Sequence, residues 1–160
     1  MPIGPVLPET SLVLDNDVFT HWRNGQSYVL REIAEHFKRL KLPPALTSMT
    51  IFEALYGVET EERKNKITKA QAQQYKDRIK MLSDSCMVLS FEQNAAAIAA
   101  YIYTRLTPQQ LVKHWKDLFI TATALAHGYG IATQNIRDFK LIADHLPDSH
   151  PLLRLTAWKP

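Results

Sequence analysis

Residues 11–22 read SLVLDNDVFTHW: an uninterrupted apolar run, Leu12 to Leu14, breaks into an acid, Asp15, with a second, Asp17, just beyond it. A continuous aliphatic run of this kind marks a strand buried on both faces, as in a parallel sheet. Two carboxylates this close repel unless a positive group lies beside them. The strand and the question of that positive group together decide how the remaining chain is read.

Downstream, short apolar runs alternate with helical patterns. Leu30, Ile33, Phe37 and Leu40 recur at spacings of three and four, which predicts a helix over Tyr28 to Leu40 ended by LPP. ALTSMT (residues 45–50) reads as a short strand, and Thr50 as the cap of a helix that Gly57 closes. Ala72, Tyr75, Ile79 and Leu82 form the buried stripe of a surface helix whose other faces carry lysines and arginines. CMVLS (86–90) is a third strand, FEQNAAAIAAYIYTRL an alanine-rich helix, and WKDLFITATALAHGYG a further helix stopped at Gly128 or Gly130. IAT (131–133) is a fourth strand, QNIRDFKLIADH a turn and short helix, and LRLTAW (153–158) a last strand. This alternation predicts an α/β sandwich, a mainly parallel central sheet flanked by helices.

The 160 residues fit a single domain spanning 1–160. MPIGPVLPET, with three prolines and no basic segment before an apolar one, reads as an extended lead-in over residues 1–10 and not as a signal peptide. No stretch approaches the length of a membrane span, and the lone Cys86 reads as a small buried strand residue in a reducing, cytoplasmic setting. A net charge of +3 permits a polyanionic partner without requiring one.

Ligands of open parallel sheets gather at the carboxyl ends of the strands, where strand order reverses. Asp15 stands at such an end. Glu53 falls on the first turn of the helix after LTSM, Asp117 begins the helix leading into the fourth strand, and Asp138 follows IATQN. Carboxylates crowded into one pocket either rise in pKa or share a cation. No Cys or His accompanies them at zinc-ligand spacing, and an all-oxygen site suits Mg²⁺ or Mn²⁺. Such an ion can bind phosphate oxygens and activate water, which points to phosphoryl or phosphodiester chemistry.

Three stretches, LVLDNDVFTHW, TSMTIFEALYG and DLFITATALAHGYGIATQNIRDF, resemble in order and spacing the motifs of PIN-domain ribonucleases, in particular the toxin nucleases of VapBC-type toxin–antitoxin pairs. The resemblance implies a PIN-like three-layer sandwich and a metal-dependent endoribonuclease. It makes Asp15, Glu53 and Asp117 the first three acids, with Thr133, Asn135 and Asp138 as the fourth cluster. Asp15 and Asp117 would hold Mg²⁺ (or Mn²⁺). The family's Asp-Thr-Asn is here Asp15-Asn16-Asp17, which leaves Asp17 as a helix cap, the preferred reading, or as an added ligand. Asp138 completes the shell, or it serves as a structural anchor while Asn135 or water does so. Implied partners are RNA, a second copy in a homodimer, and a cognate antitoxin. Lys116, Arg137 and Lys113 are candidates to guide the RNA backbone, with Arg23 and His21 further candidates.

Each residue also has a plainer reading. Asp15 and Asp17 suit a helix start, Asp117 suits a helix N-terminus, Trp115 suits packing, and His114 and His127 suit structural or surface roles, with a metal role as the lesser reading. Two other functions compete. A non-catalytic PIN-like module that binds RNA or protein would be marked by a lost acid, and none of the three clearest acids is lost. A haloacid-dehalogenase-like phosphatase would share an Asp-x-Asp opening, but Phe19 stands where that motif wants Thr and no downstream Lys with an acidic pair follows.

Overall fold

In a computed structural model, which describes residues 11–148, 150 and 153–160, the opening run forms strand β1 (Leu12–Leu14) and Asp15 caps the helix that follows, α1 (Asn16–Arg23). The chain continues as α2 (Ser27–Leu40), β2 (Leu46–Thr47), α3 (Ser48–Arg63), α4 (Lys69–Asp84), β3 (Val88–Leu89), α5 (Gln93–Tyr103), α6 (Pro108–Ala126), β4 (Gly130–Thr133), α7 (Ile136–Ala143) and β5 (Leu155–Ala157). The lead-in expected over residues 1–10 lies outside the described residues.

All pairings among the described strands are parallel. β4 lies between β1 and β5, β2 pairs with β3, and a bridge between Val13 and Ala45 joins the two groups. At that seam Ala45 donates to Leu12 O at 2.8 Å and accepts from Leu14 N at 3.0 Å. The resulting order is β3-β2-β1-β4-β5. The chain winds outward from β1 on one side, then returns to wind outward on the other, so the order reverses between β1 and β4. Open parallel sheets bind ligands outside the strand ends at such a point.

Alternation along β1 sets up the three layers. Leu12 and Leu14 face a core shared with Val18, Phe19, Val29, Ile79 and Leu82 of helices α1, α2 and α4, while Val13 faces Ile120, Ala124 and Phe139 of α6 and α7. A third cluster seals α5 onto α6 through Ala95, Ala99, Ile102, Leu118 and Ala122. Small residues on α5 permit this close contact. The expected PIN-like α/β sandwich is what forms.

Two local features fix β1 and β4 in place. His36 of α2, fully buried, accepts from Leu12 N through Nε2 (3.2 Å) and donates from Nδ1 to Leu42 O (2.9 Å), so its ring is neutral, and burial lowers its pKa. At Gly130, a Cβ would come within 2.8 Å of Arg154 O and 2.9 Å of Leu12 Cδ2. Only glycine lets β4 enter between its neighbours there.

Several expectations are corrected. α1 is an additional helix. Gly57 does not close α3, which is capped by Thr47 rather than Thr50 and runs to Arg63. α6 begins at Pro108 behind a Thr107/Gln110 capping box, so Asp117 lies in mid-helix rather than at its start. Glu53 accordingly sits in the second turn of α3. Cys86 lies before β3, half-buried, with burial pushing its thiol up to about 11, far from nucleophilic.

Candidate metal-binding and nuclease site

Asp15 is 4 % exposed at the carboxyl end of β1. Its Oδ1 accepts from Val18 N at 2.9 Å, capping α1, and its Oδ2 accepts from Thr133 Oγ1 at 2.5 Å. The cap is therefore Asp15 and not Asp17, which lies exposed in the first helical turn. Thr133 ends β4 and is itself fixed, its Oγ1 accepting from Asn135 N at 2.8 Å and its carbonyl from Trp158 N at 3.0 Å. Asn135 Nδ2 in turn donates to Asp138 Oδ2 at 2.5 Å. A continuous polar chain thus runs from the end of β1 across β4 to the first turn of α7.

α6 carries the third acid. Asp117 Oδ2 lies 3.5 Å from His114 Nδ1, and Asp138 Oδ2 lies 4.0 Å from the same nitrogen. These three donors lie within 4.8 Å of one another, the one such grouping among the described residues. Residues 114 and 117 are three apart on one helix, which places them on one face. α7 brings in Asp138 from across the cleft. Glu53 of α3 adds a buried carboxylate oxygen without a hydrogen-bond partner, and the Nδ1 of His114 is likewise unpartnered.

The electrostatics tie these acids together. Burial pushes the Asp15 carboxyl up to about 7, against the pull of its bonds from Thr133 and Val18, with Asp17 and Asp117 adding repulsion. Burial also raises Glu53 to about 7; Lys116 opposes this, while Asp117, Asp15 and Asp17 reinforce it. Asp117 is raised to about 6, again chiefly by burial, with His114 opposing and Asp138 and Asp17 reinforcing. Asp117 acts on both Asp15 and Glu53 and is itself acted on by Asp138, while hydrogen bonds join Asp15 to Thr133 and Asp138 to Asn135, so the structure brings these predicted residues to the β1/β4 reversal point. Concentrated negative charge with orphaned, buried donor atoms fits a divalent cation. The donor set contains a nitrogen, which the all-oxygen expectation did not.

The rim is basic on one side. Lys113, Arg137 and Lys140 line a cleft of about 750 Å³ between α6 and α7 together with His114, Asn135, Asp138 and Asp144. Lys116 faces the opposite way, over the Tyr56 and Trp115 rings at 5.6 and 5.7 Å, and near enough to Glu53 to lower its pKa. Arg23 is committed elsewhere, bonded to Thr20 Oγ1 (2.9 Å) and stacked on Phe19, and does not join the rim. His21 forms a polar cluster with Tyr28 and Gln134. Burial raises the Tyr28 hydroxyl, and Asp15 and Asp17 raise it further, which puts this cluster beside the acids. Trp115 packs against Phe52 and Phe119. His127 bonds to Ser90 O on the surface.

The described strands thus form a parallel sheet of this order between helices on both faces, with acids gathered at its reversal point. The same relationship emerges from comparison. The chain is 28 % identical over 131 residues to ribonuclease VapC1 of Rickettsia felis, covering 82 % of this chain and 90 % of that one. Its fold matches a chain of the DNA-bound VapBC2 complex of Rickettsia felis (TM-score 0.66, 19 % identity, 92 % of this chain and 98 % of that one) and of DNA-bound VapBC from Salmonella typhimurium (0.66, 17 %, 94 % and 100 %). No family model matches the sequence. The chain is similar to the PIN-domain toxins of VapBC pairs, as the three motifs implied.

Proposed function

We propose that this protein is a divalent-metal-dependent endoribonuclease of the cytoplasm, the toxin of a toxin–antitoxin pair. The observation that carries the reading is the gathering of Asp15, Glu53 and Asp117, all raised in pKa chiefly by burial and further by neighbouring carboxylates, beside unpartnered buried donor atoms. The name of the Rickettsia relative and the complexes in which the matching folds occur support the same function and an antitoxin partner.

Asp15 and Asp117 would hold the cation, with Asp138 close to Asp117 across the cleft, and the ion when bound supplies Lewis-acid polarisation of a phosphodiester and a lowered pKa for water. The chain's own residues do the remaining work. Thr133 orients Asp15, Asn135 orients Asp138, and Glu53, its unbonded oxygen facing a site that raises its pKa toward neutrality, is suited to take a proton from the attacking water. Lys113 and Arg137 would steer the RNA backbone into the cleft, and Lys116 would neutralise charge near Glu53. No residue of the three motifs is lost in a way that favours a purely binding module, and Phe19 of the phosphatase reading is fully buried.

We further propose a homodimer. Leu30 and Phe37 on α2 and Tyr103 on α5 are about half exposed, leaving apolar surface on both helices where the sequence had more than one sheet needs.

The direct test is cleavage of a mixed RNA pool with Mn²⁺ or Mg²⁺. Wild type should cut and Asp117→Asn should lose more than roughly 100-fold of the rate while retaining its circular dichroism; folded protein that binds RNA without cutting would leave the binding-module reading. Light scattering at tens of micromolar, about the concentration that reveals moderate affinities, should give twice the 18.3 kDa chain mass.

A further inference from the structure

We propose that His114 supplies a nitrogen ligand, through Nδ1, to the cation shared with Asp117 and Asp138, and that the site therefore favours first-row transition ions over Mg²⁺. The proposal rests on the reading of the pocket as a cation site and adds the identity of one ligand and the class of ion that follows from it.

Three observations lead there. First, His114 is 4 % exposed, and its Nδ1, fully shielded from solvent, has no hydrogen bond of good geometry, its nearest carboxylate oxygen being Asp117 Oδ2 at 3.5 Å. A buried polar atom without a partner is unfavourable by roughly 1–3 kcal/mol, so such atoms call for an explanation. Second, the nitrogen is aimed between two carboxylates that approach from different helices, at 3.5 Å on α6 and 4.0 Å on α7. A protonated imidazole paired with either acid would close to about 2.7–2.9 Å. All three donors lie within 4.8 Å of one another, and ligands about 2.1 Å from one ion are roughly 3.0–4.2 Å apart, so a side-chain adjustment of under about 1 Å would bring them around a common centre. Third, Asp138 is held by Asn135 Nδ2 at 2.5 Å, so the carboxylate facing the nitrogen is oriented by a partner of its own. Metal ligands are ordinarily fixed in this way by groups behind them.

The consequence for the ion follows from ligand chemistry. Mg²⁺ is a hard cation that takes oxygen donors and keeps several waters. Imidazole nitrogen suits transition ions, whose affinity for mixed nitrogen and oxygen sites exceeds that of Mg²⁺. Replacing one oxygen ligand by Nδ1 therefore widens the preference for Mn²⁺ over Mg²⁺ beyond what carboxylates alone give.

Pulsed electron paramagnetic resonance of Mn²⁺ bound to the intact protein tests this without reference to catalysis. Wild type should show a directly coordinated ¹⁴N coupling, lost in His114→Ala and retained in His21→Ala. Calorimetric titration should show Mn²⁺ binding tighter than Mg²⁺, with the ratio of the two dissociation constants falling about tenfold or more in His114→Ala. Should that variant fail to fold, wild-type protein alone decides, since a Mn²⁺ spectrum without nitrogen coupling overturns the assignment. The two readings separate cleanly. If Mn²⁺ binds and RNA is cut but no nitrogen is coordinated, only the role of His114 falls; if neither ion binds, the cation pocket itself falls, and this inference with it.

Discussion

Thr133 Oγ1 donates to Asp15 Oδ2 at 2.5 Å across 118 positions of sequence, and accepts from Asn135 N at 2.8 Å. One hydroxyl thus joins the ends of β1 and β4 at the mouth of the pocket. Thr133→Val keeps the shape and removes both bonds. We expect a loss of about 1–3 kcal/mol in stability and roughly 10–100-fold in RNA cleavage, with Thr133→Ser restoring most of the rate. Chemical denaturation and cleavage kinetics measure both, and wild-type rates in folded Thr133→Val would remove Thr133 from the machinery.

Asp15 both caps α1 and repels its neighbours, and two substitutions separate these roles. Asp15→Asn keeps an acceptor for Val18 N while discarding the charge, so the metal-free variant should melt at or above wild type. Asp15→Ala also discards the cap and should be less stable than Asp15→Asn by about 0.5–2 kcal/mol. Wild type at Mn²⁺ near 100 times its dissociation constant should gain about 2.7 kcal/mol, and both variants should lose most of that gain. An Asp15→Asn protein that responds to Mn²⁺ as wild type does would mean that Asp15 is no ligand.

The raised carboxyls give stability a direction with pH. In the unfolded chain they titrate near 4, whereas in the fold Asp15 and Glu53 keep their protons to about 7 and Asp117 to about 6. Between those limits the folded state binds more protons than the unfolded one. Their contribution is therefore full below about pH 4 and lost as pH rises to about 7. A cation must displace the same protons. The Mn²⁺-induced rise in melting temperature should be small at pH 5 and largest at pH 8, and an equal rise at both would contradict the shared pocket.

Lys113 and Arg137 line the cleft that opens onto Asp138. Removing either charge should raise KM for single-stranded RNA and leave kcat nearly unchanged. Each should lower the slope of log affinity against log salt by about 0.7. A fall in kcat at unchanged KM would place these residues in the chemistry instead.

Much of this arrangement was legible in the sequence because it depends on local pattern. The buried run at Leu12–Leu14 and the IAT of β4 read as strands through their apolar continuity, and Asp15 and Asp138 followed from where those strands end, whereas Glu53 and Asp117 lie within helices. α1 escaped because its eight residues, NDVFTHWR, mix buried Val18 and Phe19 with polar neighbours over barely two turns. Gly57 misled because its Cβ position meets nothing, so it neither needs nor makes a break. The start of α6 had a readable signal in Thr107-Pro108-Gln109-Gln110, a capping box with proline at the first helical position. His114 was set aside by a search for zinc-like spacing. Its i,i+3 relation to Asp117 was visible, but its second partner, Asp138, arrives only through the packing of α7 against α6, which no local pattern encodes.

The order β3-β2-β1-β4-β5 also has a meaning in time. A ribosome delivers β1, β2 and β3 first, and the strand that must lie against β1 at the reversal point comes only with residues 130–133. Until then Asp15 lacks Thr133, and neither Asn135 nor Asp138 has been made. The acid site is thus incomplete by topology through most of synthesis, and the insertion of β4, at the glycine that alone permits it, is the event that completes it.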